Sequence, residues 1–113
     1  FMNWGAYLRR SKGGPPPEMI DPHAHHIVFK EGLGDAQKAL VEEGHALLRR
    51  YQIDPIRGLE NLTWAPMRVK GQHSIGALQH AVDQLKAVEA AGGTRSDIIE
   101  MLEELGRLAA RRR

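Results

Sequence analysis

The most informative stretch of the sequence is Asp21-Pro22-His23-Ala24-His25-His26-Ile27-Val28-Phe29. It contains three of the six histidines, followed directly by a β-branched and aromatic run that favours a strand. Because successive side chains of a strand point to opposite faces, two adjacent histidines can do different chemistry. One imidazole can bind a metal ion while its neighbour transfers a proton, since neutral histidine is a common metal ligand with a pKa near neutrality. The stretch therefore predicts half of a metal-dependent site.

Clustered histidines also occur in solvated loops, at adventitious metal sites and in tag remnants. A tag is disfavoured here, because the cluster is internal and interrupted and because apolar residues follow it. The pattern by itself leaves the functional and the structural interpretation about equally open.

Composition limits the classes of protein to consider. A chain of 113 residues is long enough for one domain, and 42% hydrophobic with 27% charged residues is typical of a soluble globular chain. No apolar run approaches the roughly 20 residues needed to cross a membrane, and no signal peptide is visible. The absence of cysteine excludes disulfides and thiolate zinc sites.

The charge is mildly basic, with a formal net charge of +2 and a sequence pI of about 9.2. Such a chain could approach a polyanion. The basic residues at the two chain ends are, however, more simply interpreted as solvated tails: Arg9, Arg10, Lys12, Arg107 and Arg111 to Arg113.

The N-terminal part is predicted to be a short helix followed by a linker to the main domain. The chain begins with Phe rather than Met, so we expect it to be a fragment or a processed piece of a longer protein. Trp4, Tyr7 and Leu8 have helical spacing and predict a short helix that packs onto the body. The run Gly13–Pro17 breaks regular structure. We therefore expect residues 1–20 to form an N-terminal segment and linker, and residues 21–113 to form the domain.

Three further helices are predicted. Asp35 is a favourable N-cap for a helix ending near Tyr51, and His45 beside its apolar stripe is read as structural or exposed. A second helix is expected at 73–90. Thr94 and Asp97 form a capping box for a last helix that closes the core, although its apolar stripe could instead bind a partner. The apolar faces are Ala36, Leu40, Gly44, Leu47, Leu48 and Tyr51 in the first helix, Leu78, Ala81, Val82, Leu85 and Val88 in the second, and Ile98, Met101, Leu102, Leu105, Leu108 and Ala109 in the last.

Three segments in order resemble the AHH nucleases, a group within the HNH/endonuclease VII superfamily. They are Ala24-His25-His26-Ile27-Val28, Glu60-Asn61-Leu62-Thr63-Trp64-Ala65-Pro66 and Gly71-Gln72-His73-Ser74. The resemblance runs from about Asp21 to Leu85. It implies an α+β, mainly helical fold: a ββα-metal (treble-clef-like) hairpin-plus-helix core, with an inserted helix and a C-terminal helix. The hairpin would begin at His26 and continue in a second strand at 61–65.

The resemblance also implies roles for individual residues. His25 and His73 would bind one divalent cation, with Mg²⁺ the first expectation and Mn²⁺, Ni²⁺ or Zn²⁺ the alternatives. His26 would act as the general base, and Asn61 would pin the loop that orients it. Without the family context, Asn61 could be a simple turn residue.

Other residues are expected to contact substrate. Arg68 and Lys70 could bind flanking phosphates, and His80 could contact substrate, ligate metal or be a surface residue. His23 is an extra imidazole without an assigned role. Met67 stands where many related sequences carry an Asn that contributes to the metal site. Trp64 is read as a core residue, with base stacking as the alternative.

The resemblance implies a metal-dependent endonuclease that acts on nucleic acid, with DNA favoured over RNA. Similar domains form the toxin tips of secreted bacterial effectors, which act in the cytoplasm of the target cell and require a cognate immunity protein. A non-catalytic or inactivated module that binds nucleic acid or a partner protein is the competing interpretation. A ribonuclease is a third, and histidine pairs can cleave RNA without a metal.

Overall fold

The computed structural model describes residues 2–113, and its centre is a two-stranded antiparallel hairpin. Strand β1 spans Pro22–His26 and strand β2 spans Leu62–Pro66, with His23 opposite Ala65 and His25 opposite Thr63. The expected hairpin is confirmed, but its predicted bounds are wrong. The histidines lie within the first strand, and Asn61 ends a short 3₁₀ turn, Leu59–Asn61, instead of starting the second strand.

The segment Ile27–Phe29 was expected to continue the strand and does not. Its three side chains are all buried, whereas a strand would alternate them between two faces. The side chain of Asn61 explains the departure, because its Oδ1 accepts from Val28 N at 2.8 Å and its Nδ2 donates to Val28 O at 3.0 Å. The backbone of Val28 therefore bonds to a side chain instead of a neighbouring strand, and the apolar run turns into the core.

Helix α1 spans Trp4–Lys12 and confirms the predicted N-terminal helix. Its N-cap is Asn3, and Leu8 is fully buried. Two of its side chains bond to backbone carbonyls before β2: Tyr7 Oη donates to Arg57 O at 2.6 Å, and Lys12 Nζ donates to Leu59 O at 2.6 Å. The helix is thereby attached to the hairpin. Phe1, on which the expectation of an upstream continuation depends, lies outside the described residues.

Helix α2 spans Gly34–Arg50 and is inserted between the two strands. The prediction of Asp35 as its N-cap is wrong, because Leu33 occupies that position and makes no side-chain capping bond. Asp35 lies in the first turn instead. Gly44 marks the closest approach to the segment after β1, since a Cβ there would lie 2.7 Å from Val28 Cγ1. Ala36 is exposed and does not belong to the buried face.

Helices α3 and α4 complete the core. Helix α3 spans Ile75–Ala90 and is capped by Ser74, so His73 precedes the helix instead of starting it. Helix α4 spans Arg95–Arg111 and has the predicted capping box of Thr94 and Asp97. The main core is formed by α2, α3, α4 and the segment after β1. Its members from α3 and α4 are Leu78, Ala81, Val82, Leu85, Ile98, Leu102 and Leu105. The architecture is α+β and mainly helical, as predicted.

No helix within residues 2–113 is both long and apolar enough to cross a membrane.

The buried amide of Asn61 gives a test of the fold. Asn61 has no exposed surface, and besides its bonds to Val28 it donates to Pro55 O at 2.8 Å. Asn61→Ala leaves three buried backbone groups without partners, so we expect the free energy of unfolding to fall by about 3 kcal/mol in urea denaturation. The control is Asn3→Ala, which removes one exposed capping bond and should cost about 1 kcal/mol. Equal losses would contradict the structural role of Asn61.

Candidate metal centre and the adjoining histidine

Strand alternation divides the histidines of β1 into two sets. His23 and His25 are two residues apart and share one face of the strand, whereas His26 points to the other. The connection between β2 and α3 brings His73 to the face that carries His23 and His25. The structure thus joins the two predicted metal ligands, His25 and His73, and adds the histidine that had no assigned role.

The three imidazoles of His23, His25 and His73 form a compact cluster, called the histidine triad below. One ring nitrogen of each lies within 4.8 Å of the others. The ring centroids are 5.3 Å apart for His23 and His25, and 5.2 Å from each of these to His73. The triad is therefore close enough to bind a metal ion.

The hydrogen bonds of the triad leave ring nitrogens free for a cation. His23 Nδ1 lies 2.8 Å from Ala65 O, and since a carbonyl only accepts, Nδ1 carries the proton and Nε2 keeps its lone pair. Within residues 2–113, His23 Nε2 and His25 Nδ1 are both buried without a hydrogen-bond partner. Buried polar atoms are rarely left unpaired, because desolvating them without compensation is costly. A bound cation would satisfy both atoms, so the residues present fit a metal.

The environment keeps His25 and His73 neutral, which is the form that binds metals. Burial, followed by the neighbouring His23 and His73, lowers the pKa of His25 to about 3. Partial burial of its ring, followed by the charges of His23 and Arg112, lowers the pKa of His73 as well. Metal binding at neutral pH would therefore displace no proton from either side chain.

His26 is held on the opposite side of the strand in one defined tautomer. Its Nε2 donates to Ile56 O at 2.9 Å, which leaves Nδ1 unprotonated in the neutral ring. The edge of its ring meets Trp4, with 4.9 Å between centroids. Burial lowers the pKa of His26, although the bond to Ile56 opposes this effect. The side chain is a neutral proton acceptor at physiological pH.

Asn61 acts on His26 through the backbone, since its side-chain hydrogen bonds among the described residues go to Val28 and Pro55 and not to the imidazole. Its Nδ2 donates to Pro55 O, one residue before the carbonyl that accepts from His26. The same loop is fixed by the carboxylate of Asp54, which accepts from the backbone N–H groups of Ile56 and Arg57. Together these bonds hold the Ile56 carbonyl in place, and that carbonyl orients the imidazole.

A cavity of about 260 Å³ connects the two sets of histidines. His23, His25, His26 and His73 all line it, and its wall also carries an ion pair of Lys30 with Glu31 at 3.7 Å. Lys30 is also one of the charges that lower the pKa of His26. The cavity therefore brings the residues of the histidine triad and His26 to one space, in which the charges of Lys30 and Glu31 offset each other.

The predicted substrate residues Arg68, Lys70 and His80 do not line this cavity. Arg68 is exposed and pairs with Asp21 at 3.3 Å, and Lys70 is exposed on the same connection between β2 and α3. His80 is exposed on α3, where it borders a much smaller cavity behind His25. A role for them in binding substrate stays a prediction. His45 is buried and donates to Phe29 O, so it is structural.

Arg112 is not part of a solvated tail. It is half-buried, it donates to Gln72 Oε1 at 2.6 Å, and its charge helps to lower the pKa of both His25 and His73. Gln72 is itself fully buried and donates to Pro66 O and Ala109 O, so it fixes the arginine against the hairpin. No local sequence pattern distinguishes Arg112 from the exposed arginines on either side of it.

The role of His23 could have been found from the sequence. His23 is two residues before His25, and strand periodicity puts such a pair on one face. The prediction instead began the strand at His26, which removed that signal. No such sequence signal exists for Lys30, because an irregular segment brings it to the cavity.

Comparisons with protein-family models, with curated proteins and with solved structures found no match to this chain.

The triad predicts metal binding that depends on His23. Calorimetric titration with Zn²⁺ or Ni²⁺ should show one site, and His23→Ala should weaken it by about tenfold or more, as His25→Ala should. The control is His80→Ala, an exposed histidine outside the triad, which should bind like the wild type. Unchanged affinity in His23→Ala would remove this residue from the site.

The low pKa of His25 predicts a specific loss of stability in acid. The unfolded chain protonates this side chain below its ordinary pKa of ~6.5, whereas the folded chain does so only near pH 3. The unfolded state then binds more protons, so the free energy of unfolding falls as pH falls from 6.5 towards 3, by up to about 1.4 kcal/mol per pH unit.

This dependence is best measured by urea denaturation between pH 6.5 and pH 5, with chelator present, because carboxylates titrate little in that range. His25→Asn should reduce the slope, and His80→Asn should leave it as in the wild type. A wild-type stability that is constant over this range would contradict a neutral, buried His25.

Proposed function

We propose that this chain is a metal-dependent endonuclease that hydrolyses phosphodiester bonds, with DNA favoured over RNA as its substrate. The supporting observation is the arrangement of the adjacent pair His25 and His26. The first belongs to a triad with unpaired ring nitrogens, and the second has an unprotonated Nδ1 fixed by the Ile56 carbonyl. Both line one cavity. A metal cluster beside an oriented proton acceptor suits the hydrolysis of a phosphodiester, in which water must be deprotonated and negative charge stabilised.

We also propose that the fold is of the ββα-metal type. The hairpin β1–β2 is followed by α3, and His73 lies at the junction between them, while α2 is inserted between the strands and α4 follows. This element order agrees with the layout that the AHH resemblance implies. The third metal ligand would come from His23. Met67, where related sequences carry Asn, is exposed and outside the triad.

In the proposed reaction His26 accepts a proton from the attacking water at Nδ1, while Nε2 stays bonded to Ile56 O. Asn61 positions His26 by holding the preceding carbonyl of Pro55. His23, His25 and His73 would hold a divalent cation, which would supply charge stabilisation at the scissile phosphate and at the leaving oxygen.

The donor set bears on the choice of metal. Three imidazoles suit Zn²⁺ or Ni²⁺ better than Mn²⁺ or Mg²⁺, which prefer oxygen ligands. We therefore expect Zn²⁺ or Ni²⁺ to bind more tightly than Mg²⁺, which is the first expectation from the resemblance.

The biological setting rests on the resemblance alone. We propose that the domain is the toxin part of a bacterial effector that is delivered into the cytoplasm of a target cell. The producing cell would then need an immunity protein that covers the cavity, and an acidic surface would complement the net positive charge of the chain.

The test is cleavage of supercoiled plasmid and, separately, of total RNA, with Mn²⁺, Zn²⁺, Ni²⁺, Mg²⁺ or chelator. We expect metal-dependent nicking of the plasmid, and a loss of about 10²-fold or more in His26→Ala, because a positioned base typically contributes that much. Lys38→Ala is the control, because this exposed residue of α2 does not line the cavity, and it should cleave at a similar rate to the wild type.

The other outcomes separate the alternatives. Near-native cleavage by His26→Ala would remove His26 from the base role. Metal binding without cleavage of either substrate would favour the non-catalytic module. Cleavage of RNA alone, in the presence of chelator, would favour a metal-free ribonuclease.

A further inference from the structure

A second, larger concave surface lies on the other side of His23. It has a volume of about 730 Å³ and runs between helix α1 and the hairpin, and we call it the α1 groove. Its walls carry Trp4, Arg9 and Arg10 from the helix, and His23 and Trp64 from the two strands. None of these residues was assigned to a groove from the sequence.

The α1 groove adjoins both parts of the proposed active site. His23 belongs to the histidine triad and also lines the groove. Trp4 lines the groove, and its ring meets the ring of His26 with 4.9 Å between centroids. A chain molecule bound in the cavity that contains the triad could therefore continue directly along α1.

The charge of the groove is positive. No acidic residue is among those that line it, whereas Arg9 and Arg10 are both exposed. Neither arginine takes part in an ion pair within residues 2–113. Two unneutralised cations beside each other in a concave surface attract a polyanion such as a phosphodiester backbone.

One of these cations is held in place by an aromatic side chain. The guanidinium of Arg9 lies over the ring of Trp64, 5.6 Å from its centroid. The indole is fixed in turn, because Trp64 Nε1 donates to Gly13 O at 2.8 Å. Stacking on an aromatic face restricts a guanidinium while leaving its N–H groups free to donate, as in many sites that recognise phosphate.

The two tryptophans make the groove suitable for bases as well as phosphates. Trp4 and Trp64 are the only tryptophans in the chain, both are partly exposed, and both line the groove. Proteins that bind single strands combine a basic groove with aromatic side chains on which unpaired bases stack. A duplex does not expose the faces of its bases in this way.

We propose that the α1 groove binds the single-stranded flank of a nucleic-acid substrate, with phosphates at Arg9 and Arg10 and unpaired bases against Trp4 and against the part of Trp64 that Arg9 does not cover. This inference rests on the proposed nuclease function, because it takes the strand to continue from the cavity beside the histidine triad. It makes α1 part of the substrate-binding surface.

The experiment uses the complete chain in chelator, so that bound DNA is not hydrolysed by a metal-dependent route. An unlabelled single-stranded DNA of 12 nucleotides is titrated while tryptophan emission is recorded, and a fluorescein-labelled copy gives the affinity by anisotropy. Because both tryptophans line the groove, we expect binding to change their emission. We expect a duplex of the same length to bind more weakly, and an RNA strand to behave like the DNA strand.

The variant is Arg9→Gln with Arg10→Gln, which removes both cations and keeps both tryptophans. We expect its affinity to fall about tenfold at low salt, and the slope of log affinity against log salt to decrease by about 1.4, or ~0.7 for each phosphate of a single strand that an arginine no longer neutralises. The matched control is Arg49→Gln with Arg107→Gln, two exposed arginines outside the groove that give the same change of charge. It should keep the wild-type slope, and thermal melting should show that both variants are folded.

Three outcomes would overturn the inference. They are unchanged tryptophan emission on binding, equal losses of affinity in the two double variants, and no binding of the oligonucleotide by the wild type.

Cleavage assays separate this inference from the proposed function. If the wild type cleaves DNA and the double variant Arg9→Gln with Arg10→Gln binds and cleaves like it, strand binding in the α1 groove is contradicted and the nuclease function is supported. If the strand binds in the α1 groove but no metal supports cleavage, the nuclease function is contradicted and strand binding in the groove is supported. If both are right, the variant should raise KM and leave kcat close to the wild-type value.

Discussion

The buried amide of Asn61 is the interaction on which the rest of the structure depends. It ends the first strand at His26 by taking both hydrogen bonds of Val28, and the apolar residues that follow can then turn into the core between α2, α3 and α4. The same amide holds Pro55 O. One side chain therefore determines where the strand stops, how the core begins and where the carbonyl that orients His26 lies.

A strand that ends at this point gives the two adjacent histidines different surroundings. His25 faces a cluster of imidazoles whose mutual repulsion and burial keep it neutral, while His26 faces a carbonyl that selects its tautomer. Both side chains are almost completely buried, and each has one ring nitrogen that the protein leaves free of a proton. The division of labour proposed for them follows from the backbone alternation and from the carbonyl of Ile56, which accepts from His26, while the carbonyl of Ala65 fixes the tautomer of the neighbouring His23.

Much of this could be predicted from the sequence, for identifiable reasons. Helices α1, α3 and α4 follow from apolar periodicity and from the Thr94–Asp97 box, which are local signals. The bounds of β1 could not be predicted, because the Ile27–Phe29 run has the composition of a strand and leaves the sheet through a contact with Asn61, which is distant in the sequence. The groove position of Arg9 and the buried position of Arg112 depend on tertiary packing in the same way. For the site, the motif resemblance predicted that His25 and His73 lie together. Strand periodicity would have been enough to predict His23 as the third candidate ligand.

The bond between Trp64 and Gly13 has a consequence for the continuity of the chain. Gly13 begins the Gly/Pro stretch, and its carbonyl joins that stretch to β2, while Tyr7 and Lys12 join α1 to the backbone before β2. A proteolytic cut within 14–17 would leave α1 attached only by noncovalent contacts. Its departure would uncover His26, because Trp4 would leave with it. The 13–20 connection therefore acts as a tether that keeps one wall of the proposed active site at a high local concentration.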